Sequence, residues 1–424
     1  MKIVVNDYSG HPFQVQLSRE LARRGHAVTH LYASFFQTPK GPLTKRASDP
    51  STLQVSGVDI GEPFEKYNFW KRRFQEIRYG RLVAREIEKL RPDVVLAANN
   101  PLDAQLLVLR ATKRAGARFI YWLQDIYSRA ISILLPKKLG PAGRLIARYY
   151  RGLERRSLVE SDAIVLISQD FREGLRQWKL ADHKLHVIPN WAPVEEIPMR
   201  PKDNLWSRAL GLQDKFVFLY AGTLGLKHDP ALLLRLGLTL QGRGDSVVLV
   251  ASEGPNADWI KAEAAKAGVG NVIVLGFQPY EALPDMLGTA DVPVAVLEKD
   301  AGVFSVPSKV LTCLCAGKPL LLSVPLENLA SRLVISADAG LVASPDNERD
   351  FIRYALALRD DADMRSSLGA NARAYAEAAF DISKIASSFE AILAGHDAVL
   401  PLAGAPTQRS RSREELMPLA NRGR

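Results

Sequence analysis

Two doubly wound α/β domains in tandem are what this chain predicts, and three observations predict them. Short continuous apolar runs alternate with helical patterns, as in parallel sheets covered on both faces. The alternation stops once, in a proline-rich stretch near the middle, and then restarts. With 424 residues, 47% apolar and 24% charged, the chain can fill two or three globular cores.

The first strand is "KIVV" (Lys2–Val5), and a helix from about Pro12 to Arg24 follows it. Pro12 suits a helix start, and Gly25 suits the position just past the end. The runs "AVTHLY" (Ala27–Tyr32), "DVVLAAN" (Asp93–Asn99), "ARFIYWL" (Ala117–Leu123), "DAIVLIS" (Asp162–Ser168) and "KLHVIPN" (Lys184–Asn190) continue the first domain. "IPNWAPVEEIPMRP" has four prolines and no helical period, so Pro189–Pro201 reads as a linker. The second domain reads "KFVFLYAG" (Lys215–Gly222), "SVVLVAS" (Ser246–Ser252), "NVIVLGF" (Asn271–Phe277), "DVPVAVL" (Asp291–Leu297), "KPLLLSV" (Lys318–Val324) and "AGLVAS" (Ala339–Ser344). Helices near Asn347–Arg359, Ala362–Ala378 and Ile382–Ala394 close it. The expected division is therefore 1–197, 198–395 and a basic tail, 396–424, without a core pattern and expected to be disordered.

Several function classes are disfavoured. Cys313 and Cys315 lie two apart in an apolar run, which is neither a disulfide framework nor a zinc pattern and fits a reducing compartment. No apolar run is long enough to span a membrane, and the N-terminus reads as a strand, so a cytosolic protein is expected. A net charge of +10 calls for an anionic partner. No nucleic-acid motif accompanies that charge, and no G-x-G-x-x-G follows an early strand, which speaks against a nicotinamide oxidoreductase. An Asp-x-Asp pair placed to hold a metal is missing, so neither metal nor cofactor is expected.

Two loops carry the chemistry. In "FVFLYAGTLGLKHDP" a buried strand ends in Gly222 and Gly225, followed by Lys227 and a helix near Asp229–Pro230. Glycines allow close approach of the backbone, and a helix N-terminus favours an anion. In "SVPSK" (Ser305–Lys309), Pro307 suits the first turn of an apolar helix, where Ser308 and Lys309 offer a hydroxyl and a cation. Either loop alone is an ordinary strand-to-helix turn. Two of them at strand ends on one side of one sheet point to a diphosphate.

In order, "AGTLGLKHDPALLL", "SEGP", "VIVLGFQPYEALPDMLGTADVPVAVL" and "SVPSKVLTCLCAGKPLL" resemble the donor half of retaining family-4-type glycosyltransferases. "RRGHAVTHLY", "YWLQDIYSRA" and "VIPNWAP" resemble the bacterial colanic acid, capsule and O-antigen members. The resemblance covers roughly residues 1 to 395. It implies GT-B architecture, two Rossmann-like domains with the active site in the cleft between them. It also implies transfer of a sugar, with retention, from a UDP- or GDP-linked donor to an undecaprenyl-diphosphate-linked saccharide.

The implied roles are these. Thr223 and Lys227 hold the donor phosphates, with Thr223 standing where an arginine is usual. Phe277 and Gln278 read the nucleobase, and Ser305, Ser308 and Lys309 touch the diphosphate and donor sugar. Two glutamates common in relatives are replaced by Phe304 and Thr312, which leaves ribose recognition to Glu298 or another group. That loss also keeps a non-catalytic sugar-nucleotide binder open. In the first domain, the loop with Gly10 corresponds to one that closes on the donor phosphates or acceptor. Asp125 can orient or deprotonate the acceptor hydroxyl, or simply cap the next helix, and His11 is the other candidate base. Lys66–Leu90 and Ile131–Leu158 mix basic with apolar and aromatic residues, as an interfacial helix on an anionic membrane does. A peripheral enzyme on the inner face of the cytoplasmic membrane is expected.

Overall fold

The computed structural model describes residues 1–36, 40–65, 68–225, 227–299 and 307–397. It forms two compact units. Among the described residues, one comprises Met1–Pro193 with Phe380–Asp397, and the other Val194–Ala379.

The first unit holds a seven-stranded sheet of β1 (Lys2–Asp7), β2 (Ala27–Ala33), β3 (Leu53–Val58), β4 (Val94–Ala98), β5 (Arg118–Leu123), β6 (Ala163–Leu166) and β7 (Leu185–Val187), in the order β3-β2-β1-β4-β5-β6-β7. Every pair is parallel. β4 and β6 are buried at every residue, as continuous apolar runs in a covered parallel sheet should be. The second unit holds a six-stranded parallel sheet of β8 (Phe216–Ala221), β9 (Ser246–Ala251), β10 (Val272–Leu275), β11 (Val292–Val296), β12 (Leu320–Ser323) and β13 (Gly340–Ala343), in the order β10-β9-β8-β11-β12-β13. Its core gathers Phe218, Tyr220, Leu233, Leu236, Val248 and Phe351. The strand order reverses between β1 and β4 in one sheet and between β8 and β11 in the other. Open α/β sheets bind ligands at the carboxyl ends of strands flanking such a switch.

Three expectations need correction. The helix Ile382–Ala394, expected in the second domain, belongs to the first unit. Its buried Phe389 lies 4.7 Å from Trp122 and 6.1 Å from Trp191, ring to ring, and Glu390 bonds Arg24 and His26. The proline-rich stretch is not a solvated linker throughout. Trp191 is 2% exposed, stacks on Trp122 at 5.7 Å, and donates its Nε1–H to Gln16 Oε1 at 2.8 Å. Aromatic burial there overrides the proline texture. The basic segment Ile131–Leu158 lies in a helical stretch, Tyr127–Glu160, that breaks at Gly140 (φ 53°, ψ −130°), with Pro136 and Pro141 beside the break. The expected tail, 396–424, lies outside the described residues beyond Asp397.

Candidate functional site

In the second unit, β8 ends at the switch point and leads into the helix Pro230–Leu240. The connecting loop is held from several sides. Tyr220 Oη donates to Thr223 O at 2.8 Å, and Asn256 Nδ2 donates to Gly225 O at 3.2 Å. Gly225 N–H donates to His228 Nδ1 at 3.0 Å, and Glu298 N–H donates to Lys227 O at 3.0 Å. The last bond ties this loop to the exit of β11. His228 is buried, and that burial, with the charges of Lys309 and Lys227, holds its pKa down at about 3, so the imidazole is neutral.

The glycines work differently from the sequence reading. The N–H of Gly222 is taken by Ala251 O at 3.0 Å and that of Gly225 by His228. What Gly222 supplies is space. Its φ is +111°, and a Cβ built on it would stand 3.7 Å from Lys309 Cε and 3.8 Å from Nζ. The helix N-terminus is also partly occupied, because Asp229 Oδ1 accepts from Ala231 N–H at 2.9 Å. Thr223 and Lys227 are exposed at the mouth of the loop.

Lys309 opens the helix Lys309–Cys315, so Pro307 precedes that helix instead of lying in its first turn. Ser308 is exposed and makes no side-chain capping bond. Ser305 and Phe304 lie outside the described residues, and Thr312 is half-buried one turn into the helix. Although the Lys309 stem is half-exposed, its ammonium is buried. Nζ lies 3.4 Å from the centroid of the Tyr220 ring and has no hydrogen-bond partner among the described residues. Glu298 is exposed in the wall of a cavity of ≈ 280 Å³, with Asp229, Lys299, Ser323 and Asp346.

The candidate base-reading residues are half-buried. Phe277 N–H donates to Glu253 Oε1 at 2.9 Å, and Gln278 Oε1 accepts from Trp206 Nε1 at 3.3 Å. Glu253 thus pins the exit of β10. Glu253, Tyr220 and His228 have no role in the sequence analysis. The short spacing from Gly225 to His228 was the available signal for the last.

At the switch point of the first unit, β1 ends in Asp7, which is fully buried. Its carboxylate accepts from Ser9 N–H at 3.1 Å and His11 N–H at 2.5 Å. In the orientation that satisfies both its amide atoms, Gln14 donates to Asp7 Oδ1 at 3.1 Å and accepts from Asn99 at 2.9 Å. Asn100 Nδ2 donates to Asn6 Oδ1 and Gln105 Oε1, each at 2.7 Å. Burial raises the Asp7 pKa, against the charge of His11 and hydrogen bonds from Gly10, His11 and Asn99 that lower it. Gly10 holds φ +74°, and a Cβ there would meet Leu43 Cδ1 at 2.7 Å.

His11 caps the helix Pro12–Arg23 without a side-chain bond and stacks on Phe13 at 5.5 Å. Asp125 is half-buried just beyond β5. Strand order places β4 between β1 and β5, the strands whose carboxyl ends carry these two residues. The N-cap position of the next helix is Ile126, one residue beyond Asp125. Glu154, fully buried, accepts from Ser128 N–H and Oγ in that first turn. Burial pushes the Glu154 carboxyl up to about 7.

Two sequence families that match the chain make it a glycosyltransferase. Residues 13–196 match Glycosyltransferase Family 4, residues 203–375 match Glycosyl transferases group 1, and the chain belongs to this family, with GT-B architecture. Among curated proteins it is 24% identical over 208 residues to WcaI of Escherichia coli (strain K12), named for colanic acid biosynthesis and glycosyl transfer. That match spans 48% of this chain and 51% of WcaI, so it covers about half of the relative's length. Sucrose-phosphate synthase from Thermosynechococcus elongatus superposes with a TM-score of 0.71 at 14% identity, covering 92% of this chain and 98% of that one. HepE of Anabaena, solved with UDP-glucose, gives 0.66 at 16% identity, covering 93% and 99%. These structural likenesses establish the fold.

Proposed function

We infer that the protein transfers a sugar, with retention, from a nucleotide-diphospho-sugar to a lipid-linked saccharide in the assembly of a bacterial surface polysaccharide. The observation that carries the donor half is Lys309, a buried ammonium with no hydrogen-bond partner among the described residues, beside a glycine that leaves space open over it. Fixed positive charge stabilises a departing diphosphate more in the transition state than in the ground state. Lys227 and Lys309 supply that charge in a reading that needs no metal. The UDP-glucose held by HepE supports a sugar nucleotide as donor, and the likeness to WcaI supports a polysaccharide role. Asp125 or His11 in the first unit would orient or deprotonate the acceptor hydroxyl.

The test is mass spectrometry of products formed from a panel of UDP- and GDP-sugars with bacterial membrane extract. A mass increment of one sugar on a lipid-linked species is expected. Nucleotide binding without any transfer would leave a sugar-nucleotide binder instead.

A lipid-linked acceptor places the enzyme at a membrane surface. Among the described residues no helix is long and apolar enough to cross a membrane. The basic helix Phe69–Leu90 exposes Trp70 (62%) and Phe74 (64%), and Leu145 (72%) lies on the stretch after the Gly140 break. Arg73 donates to Asp103 and to Tyr149 Oη, each at 3.1 Å, which brings these helices side by side. Lys71 follows Trp70 in sequence, and Arg144 and Arg148 flank Leu145. Flotation is expected with anionic liposomes and not with neutral ones, and Trp70→Ser with Phe74→Ser should weaken it. Equal flotation with both lipid types would remove the electrostatic part of this reading.

A further inference from the structure

A buried ammonium gives up its hydration, and a ring face returns only part of it. Lys309 is in that position, with its Nζ 3.4 Å from the Tyr220 centroid and no hydrogen-bond partner among the described residues. Among the described residues, the titratable groups that face it are Tyr220 from β8, Lys227 and His228 from the following loop, and Cys313 from its own helix. None of them is an anion at neutral pH. Burial raises Tyr220 well above its ordinary range and lifts Cys313 to about 12, while His228 is neutral and Lys227 repels a second positive charge. Burial above all, opposed by Cys313 and aided by Lys227, brings Lys309 down to about 7.

Resting on the donor reading of this site, we propose that a nucleotide diphosphate enters together with a proton drawn from solvent, which settles on Lys309 Nζ. The diphosphate oxygens supply a counter-charge to Nζ, so the ammonium becomes the favoured form. The site thus gains its full positive charge only when the donor is present. Release of the nucleotide returns the proton to solvent. Donor affinity then falls as pH rises above neutrality, by up to about tenfold per pH unit.

Calorimetric titration of the full chain with UDP-glucose and with GDP-mannose, in buffers of different ionisation enthalpy, counts the protons. The phosphates of these diphosphate diesters do not themselves titrate near neutrality. Uptake is expected to be small at low pH and to rise towards one proton as pH increases through neutrality. In the free protein, a lysine ¹³Cε resonance should titrate near neutrality and disappear in Lys309→Arg. Binding without proton uptake at pH 8 overturns the proposal and leaves the donor reading standing. Failure of both nucleotides to bind overturns the donor reading and the proposal with it. A near-neutral lysine titration that survives in Lys309→Arg overturns the assignment to this residue.

Discussion

Lys309→Met is expected to lower sugar transfer by about two to three orders of magnitude, equivalent to about 2–4 kcal/mol of barrier, without destabilising the fold. The two halves of this expectation have one cause. The ammonium lies against the Tyr220 ring with no hydrogen-bond partner among the described residues, so folding spends free energy to place it there. Methionine fills similar volume without a charge to desolvate. The sign with pH follows. The folded pKa of about 7 lies below the ordinary 10.5, so the folded state binds fewer protons than the unfolded state between these values. Wild-type stability from this group therefore rises across that window, and the penalty is fully present below pH 7. The melting temperature of Lys309→Met should exceed the wild type's most clearly at or below pH 7, and the gap should close towards pH 10.5. Near-normal transfer in this variant, or a lower melting temperature at pH 6, would remove Lys309 from the donor site.

Most strands of both sheets were legible because each is a short apolar run buried on two faces, a pattern that survives without knowledge of tertiary contacts. β3 was not legible. "LQVSGV" lies at the sheet edge, where the residues between Leu53 and Val58 are exposed or half-buried, so no apolar run marks it. Trp191 was read as linker because proline content is a local signal, whereas its partners Gln16, Trp122 and Phe389 lie far away in sequence. The site divides along the same line. That glycines and lysines follow β8 and precede the helix at Lys309 is written in the sequence. Which N–H groups remain open is not, because Ala251 and His228 decide that for Gly222 and Gly225. The burial of the Lys309 ammonium needs Tyr220, which no spacing connects to residue 309.

Asp7→Ala is expected to lower stability by about 2–4 kcal/mol and transfer by about a hundredfold under conditions where the variant is still folded. The family resemblance implies that the Gly10 loop closes on the donor phosphates or the acceptor. The structure fills it from inside, because Asp7 accepts the Ser9 and His11 N–H groups and is paired with Gln14 and Asn99. Those donors cannot also serve a ligand while the carboxylate is there. The loop's contribution is therefore positional, with Asp7 fixing the backbone that presents His11 at the carboxyl end of β1. Removing the carboxylate strands buried N–H groups, each at a cost of about 1–3 kcal/mol, and frees the loop to shift. Because burial raises the folded pKa above 3.8, the folded state holds the Asp7 proton more tightly than the unfolded chain. The stability that Asp7 contributes is then greatest below pH 3.8 and declines as pH rises through the folded value. Denaturant melts of both proteins should accordingly give a larger cost for Asp7→Ala near pH 4 than at pH 8. Asp7→Asn keeps the shape and one acceptor oxygen but sets an NH₂ group against an N–H donor, so its stability should fall between the two. An alanine variant with wild-type stability and transfer would leave the loop supported by Gly10 and its neighbours alone.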